Sequence, residues 1–293
     1  MILCPGCKTS LVQAHEEWQC PNCGYRALIH DTIVEFHPDI SHYDDYRPED
    51  LSLLNSAEEK HFWFRSRRIF IAKLLKKHLA ENSSLLEIGA GTGDIAKMLS
   101  EMDFEVSVND LYSSGLRYAS GKGLQRLYQF DLAAPPFREH FDAVTLFDVI
   151  EHIEDDLSAV KNAASMVKPG GLIIVTVPAH PSLWCSEDRD AGHKRRYTLK
   201  TIKALFDNAG LVILEARHFF SAVMPLLYIR KLAGLIHPDS KNKKNEIRIN
   251  PLINSILYST TIAEFFLTQR AAPRFGGSIA CVAQKSTGEG IKP

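Results

Sequence analysis

Four cysteines crowd the first 23 residues in the spacing Cys4-x2-Cys7-x12-Cys20-x2-Cys23. Four soft thiolates in two close pairs are the donor set of a tetrahedral zinc ion. Pro5-Gly6 and Pro21-Asn22-Cys23-Gly24 supply the turns that aim paired sulfurs at one ion. With all four positions filled, the expected site is closed and structural. The alternative, two redox CxxC pairs, would need a thioredoxin-like strand–helix context that these residues lack. A second group is Glu87-Ile88-Gly89-Ala90-Gly91-Thr92-Gly93, a glycine turn that lets backbone approach a ligand at a helix N-terminus. Asp110 closes the next strand, at the distance expected of a carboxylate accepting both ribose hydroxyls. The residue at the third glycine of a dinucleotide fingerprint is Asp94, and a second acidic strand end, Phe130-Asp131-Leu132, suits an adenine amino group rather than a pyrophosphate. The third group is Asp148, Glu151 and His152, spaced to share one face of a helical turn, with His193 further along. Two carboxylates and two imidazoles could hold a divalent cation. They could equally be a pocket-lining or general-base histidine, or a satisfied structural pair.

Elements of alternating type must position these groups. Residues 1–38 form a small unit that needs a metal to fold. Residues 39–80 read as a helical linker or cap, with Ile69, Leu74 and Leu75 among the apolar positions at helical spacing and Ser56–Glu59 resembling a capping box. Trp63, Arg65, Arg67 and Arg68 are placed to cap a pocket. The main domain runs over 81–287. Strands are expected over 85–88, 105–108, 127–130, 141–147, 172–177, 211–216 and 278–284, with helices over 94–102, 157–167 and 199–209. Such alternation means a doubly wound α/β sheet. A helical insertion covers about 219–270 with a polar break at 237–250, and 288–293 is a frayed tail. Pro178-Ala179-His180 and the cationic run His193-Lys194-Arg195-Arg196-Tyr197 follow strand ends, where ligands sit in such sheets. That run either holds a substrate anion or pairs with Asp188 or Asp190.

The 293-residue chain is 45% hydrophobic and 24% charged, which excludes a mostly disordered or fibrous protein. A formal net charge of -1 supplies no general attraction to nucleic acid, and four zinc-bound thiolates would take it to about -3. The stretch from Phe219 to Ile229 is too short to span a bilayer, and the N-terminus lacks the pattern of a signal peptide, so a cytoplasmic setting is expected. Phe219 to Ile236, with Arg230 and Lys231, could cover a greasy substrate, touch a membrane surface, or pack in a core or dimer.

The ordered set of Glu87 to Gly93, Asp110, Asp131, Phe141-Asp142-Ala143-Val144, Val149-Ile150-Glu151-His152-Ile153 and Lys168-Pro169-Gly170-Gly171 resembles the class I S-adenosylmethionine-dependent methyltransferases over about residues 84–215. The resemblance implies a Rossmann-like seven-stranded sheet whose last strand is antiparallel, here with an N-terminal zinc ribbon. It implies S-adenosylmethionine bound by Glu87, Gly89, Ala90, Gly91, Gly93, Asp110, Asp131, Leu132 and Asp148, with His152, His193 and Glu151 as catalytic candidates. The Asp148, Glu151, His152 and His193 pattern is similar to that of small-RNA 2′-O-methyltransferases and ubiquinone-pathway O-methyltransferases, with Asp148 in place of a glutamate. The expected acceptor is a small molecule or a lipid- or glycan-linked intermediate, methylated on oxygen or carbon. The alternatives are an RNA methyltransferase that uses the ribbon to bind RNA, and a non-catalytic scaffold of the same fold.

Overall fold

The computed structural model describes residues 1–14, 17–37, 48–236, 249–268 and 272–287. The start of the expected cap at 39–47, residues 237–248 of the polar break expected over 237–250, and the tail at 288–293 lie outside them. Three short apolar runs form the centre. β5 (Ser84–Ile88), β8 (Phe141–Phe147) and β9 (Val167–Pro178) are buried on both faces, which is why they read as continuous rather than alternating apolar sequence. β6 (Glu105–Asp110) and β7 (Leu127–Gln129) extend the parallel sheet on one side. On the other side β11 (Ser278–Lys285) runs antiparallel to both β9 and β10 (Leu211–Phe219).

The sheet has eleven strands, not the expected seven, in the order β1-β2-β3-β4-β7-β6-β5-β8-β9-β11-β10. The extra strands come from the cysteine-rich unit: β1 (Val12–Ala14), β2 (Glu17–Gln19), β3 (Arg26–His30) and β4 (Ile33–Glu35). β4 pairs parallel with β7, Ile33 opposite Leu127 and Glu35 opposite Gln129. The physical reason is edge protection. A seven-stranded sheet would leave the backbone groups of β7 exposed, and β4 satisfies them. Gln129 completes the join: its side chain accepts from His37 N at 2.9 Å and donates to the His37 carbonyl at 3.0 Å.

Helices cover both faces. α1 (Pro48–Lys60), α2 (Phe62–His78), α3 (Asp94–Ser100) and α4 (Ser113–Gly121) belong to one side, and α5 (Asp156–Met166) and α7 (Leu199–Asn208) to the other; a short α6 (Ser186–Asp190) lies between α5 and α7 in the chain. Ser56 lies inside α1 and caps nothing, whereas His61 caps α2 by accepting from Trp63 N at 3.2 Å. α2 buries Phe70, Ile71, Leu74 and Leu75, each contributing about 1.5–3 kcal/mol of transfer free energy. The insertion forms α8 (Met224–Ile236) and α9 (Pro251–Leu267).

Candidate active site

Three glycines after β5 adopt left-handed backbone, for different reasons. A Cβ on Gly89 would lie 2.7 Å from Val149, and one on Gly93 would lie 2.7 Å from Ala119. At Gly91, with φ +55°, nothing lies within 4 Å of that position, so this stretch of backbone is open to a ligand. Asp110, at the end of β6, holds the loop: Oδ2 accepts from Gly91 N at 2.8 Å and Oδ1 from Tyr112 N at 2.9 Å. Buried Asn109 ties the neighbouring strand ends by donating to the carbonyls of Tyr128 and Phe130 at 3.0 and 3.1 Å. Asp131 follows β7 and accepts from Ala133 N at 2.8 Å, while Leu132 is buried and its carbonyl accepts from Asn162.

Glu87 ends β5 beneath the loop. It is buried, its Oε2 has no hydrogen-bond partner among the described residues, and burial pushes its carboxyl up to about 8 against the pull of Arg67. A cleft of about 350 Å³, open mouth included, lies over it between Glu58, Phe64, Arg67, Ala90 and Phe147. The cap helices supply Glu58, Phe64 and Arg67 to that lining. Glu58 accepts from Thr92 Oγ1 at 2.5 Å and lies 3.2 Å from Lys122 Nζ. Arg68 pairs with Asp94 at 2.7 Å. Arg67 donates to the Phe147 carbonyl at 2.7 Å and pairs with Asp148 at 2.8 Å. Arg65 and Trp63 turn away: Arg65 sits 4.0 Å over the Tyr258 ring and Trp63 stacks on Phe220 at 4.2 Å.

Beyond β8 the chain makes a 3-10 turn, Ile150–His152. Glu151, His152 and His193 present ligand atoms within 4.8 Å of one another. Asp148, which spacing groups with them, is outside this cluster; its backbone is left-handed, φ +57°, and its carboxylate faces Arg67. Both oxygens of fully buried Glu151 lack partners among the described residues. Burial and Asp148 hold its carboxyl well above the usual range, and burial with His193 brings His152 down to about 4. His193 is oriented from behind: its Nδ1 lies 2.9 Å from Asp188 Oδ1. A proton kept on Nδ1 leaves Nε2 with its lone pair. Asp188 also accepts from Arg196 Nε at 2.8 Å and from Cys185 N at 2.9 Å. These bonds outweigh its burial and hold Asp188 at about 2. Arg195 pairs with Asp156 at 2.9 Å, and His180 stacks on His218 at 5.0 Å. The cationic run is therefore largely engaged within the fold.

Sequence reasoning missed Glu58, Asn109 and the orienting role of Asp188. None stands in a motif; Glu58 and Asn109 act through contacts with separate segments, and Asp188 through a local turn that brings it to His193 and Arg196.

In the N-terminal unit the sulfurs of Cys4, Cys7, Cys20 and Cys23 lie within 4.8 Å of one another, with Cys4–Cys23 at 3.5 Å and Cys7–Cys20 at 3.4 Å. Sulfurs about 2.3 Å from a tetrahedral zinc stand roughly 3.8 Å apart, so the set could hold that ion.

A family model described as a methyltransferase domain matches residues 60–216. A ubiquinone biosynthesis O-methyltransferase of Bordetella avium (strain 197N) is 29% identical over 96 residues, 30% of this chain and 40% of the relative. One from Alkalilimnicola ehrlichii is 32% identical over 101 residues, 32% of this chain and 41% of the relative. The chain thus spans about 40% of the length of these curated relatives. The structure of Haemonchus contortus phosphoethanolamine N-methyltransferase 2 in complex with S-adenosyl-L-methionine superposes with a TM-score of 0.55 at 17% identity, covering 85% of this chain and 59% of that one. That likeness concerns the fold.

Proposed function

The chain belongs to the methyltransferase-domain family, and on that premise we propose that it methylates a hydroxyl oxygen of a small molecule, with S-adenosylmethionine as donor. The curated relatives, named as O-methyltransferases, support the reaction class. The observation that carries the assignment is a pair of orphaned carboxylates, Glu87 in the cleft under the glycine loop and Glu151 beyond β8. Buried carboxylate oxygens without partners are costly and call for a ligand.

When bound, S-adenosylmethionine supplies a sulfonium-activated methyl for in-line displacement. Gly89 to Gly93 and Asp110 would hold its nucleoside part, with Asp131 and Leu132 toward the base. Glu87 would accept a hydrogen bond from its cationic end, and Arg67, whose Nε is buried without a partner among the described residues, would face its carboxylate. Glu151, His152 and His193 would hold a divalent cation, oriented by Asp188. Such a cation lowers the pKa of an acceptor hydroxyl. The reading rests on two imidazoles and Glu151 presenting ligand atoms within 4.8 Å of one another; an imidazole as acidic as His152 is poorly matched to general-base work alone. Cys4, Cys7, Cys20 and Cys23 would hold a structural zinc. A lipid- or glycan-linked acceptor is the finer alternative within this class.

The test is calorimetric titration with S-adenosylmethionine, followed by transfer of a labelled methyl to a library of hydroxylated metabolites. Saturable binding is expected, abolished by Gly91→Arg and weakened at least about tenfold by Asp110→Ala, the equivalent of about 1.4 kcal/mol. Binding indifferent to both changes would overturn the assignment. Binding without transfer to any acceptor would favour the scaffold.

A further inference from the structure

α2, β10 and α9 enclose a second groove of about 960 Å³, open to solvent, which shares no lining residue with the cleft over the glycine loop. The volume to compare with small-molecule sites, open solvent left out, is about 410 Å³, within their usual range. Its floor is carbon: Phe70, Leu74 and Phe265 are buried, and Phe70 stacks on Phe219 at 3.9 Å. Its rim is cationic, with Lys73, Lys76, Lys77 and Arg217 set against a single carboxylate, Glu215.

Part of this charge has an ordinary explanation. Lys76 and Lys77 stand in the last turn of α2, where cations favour the helix dipole, and Lys77 lies 2.7 Å from Glu215. The rest does not. Lys73 stands a turn earlier, its Nζ 4.1 Å over the ring of Phe266, which is itself 63% exposed. Arg217 comes from the sheet and is mostly buried; it donates to the Thr268 carbonyl at 2.9 Å and lies 3.5 Å from Glu215, while its Nε has no partner among the described residues. That one carboxylate also serves Lys77 and His78, each at 2.7 Å, so the groove keeps an excess of positive charge that a bound anion would offset.

A carbon floor edged by excess positive charge matches a ligand that has both a chain and an anionic head. We propose that this groove binds an anionic amphiphile, its phosphate or carboxylate between Lys73, Lys76 and Arg217 and its aliphatic chain over Phe265 toward Phe266. The site is independent of the methyl-transfer reading and stands or falls separately from it.

The experiment titrates the full chain with dodecyl phosphate below its micelle concentration, alongside inorganic phosphate and dodecanol. One saturable site is expected, with inorganic phosphate and dodecanol each at least about tenfold weaker. Lys73→Glu/Lys76→Glu, two exposed positions that leave the core untouched, should weaken dodecyl phosphate at least about tenfold while S-adenosylmethionine binding stays unchanged. Non-saturable uptake, equal affinity in the variant, or inorganic phosphate binding as tightly as dodecyl phosphate would each overturn the proposal. Co-sedimentation with phosphatidylcholine vesicles, with and without phosphatidic acid, then separates the sources. Capture that needs phosphatidic acid and is lost in the variant assigns a bilayer lipid; dodecyl phosphate binding without vesicle capture assigns a soluble amphiphile.

Discussion

Glu151 shows how one side chain can carry a site. It is fully buried, both its oxygens lack partners among the described residues, and His152 and His193 stand beside it. Glu151→Gln keeps the shape and removes the charge. Methyl transfer is expected to fall at least about 100-fold, some 2.7 kcal/mol of transition-state stabilisation, while the S-adenosylmethionine Kd stays within about threefold. A comparable loss of both would make Glu151 structural. Glu87 gives a pH signature. Burial pushes its carboxyl up to about 8, above the ordinary 4.5, so the folded state binds the proton more tightly. That contribution to stability is complete below about pH 4.5 and is lost as pH rises through about 8. Thermal unfolding of the ligand-free protein across this window should decline for the wild type and stay flatter in Glu87→Gln. The glycine loop and the Glu151-His152 pair were legible from residue type and spacing. Asp148 was not, because spacing alone cannot reveal that its left-handed backbone turns the carboxylate to Arg67.

Among elements, the cysteine unit does more than append itself. Glu35 of β4 is buried and accepts from Ser113 Oγ at 2.7 Å, at the start of α4. Two residues further on, a Cβ on Gly115 would sit 2.5 Å from the Gly91 carbonyl, so α4 packs directly on the glycine loop. Phe36 meets Phe130 and Phe137 edge-on at 6.4 and 6.5 Å. Removing the metal should therefore be felt beyond the four cysteines. The purified protein should contain one zinc, and chelation should raise hydrogen exchange in β1–β4, β7 and α4 and weaken S-adenosylmethionine binding. Exchange confined to residues 1–37 with affinity unchanged would sever that link. Glu35→Ala should cost about 1–3 kcal/mol through the orphaned Ser113 hydroxyl. The cap helices were foreseen as a covering element, but the division of labour along α2 was not. Arg67 and Arg68 face the loop while Trp63 and Arg65 pack on the insertion, a choice made by where α9 and Phe220 lie.

For the molecule as a whole, a formal charge of -1, which four thiolates on a zinc ion would lower further, supplies no general attraction to RNA. Retention on immobilised ribosomal RNA is expected to be negligible at moderate salt. A steep decline of binding with rising salt would instead favour the RNA alternative. No described helix is long and apolar enough to cross a membrane. Yet, among the described residues, nine of the fifteen exposed large apolar side chains lie on α8 and α9, and the cationic groove opens beside them. The local excess of positive charge there is invisible in the total.

The amino-acid pattern alone was enough for the parallel α/β core, the thiolate set and the glycine turn, and the family resemblance implied the antiparallel final strand. The first three depend on periodicity or on donors close in the chain. Tertiary packing decided the rest. β4 joins β7 because an open edge needs partners, Asp188 is turned onto His193 by the fold around α6, and Lys73 and Arg217 line one groove only where helix crosses sheet. Backbone edges and charges far apart in the chain carry no mark of their eventual neighbours until the core has packed.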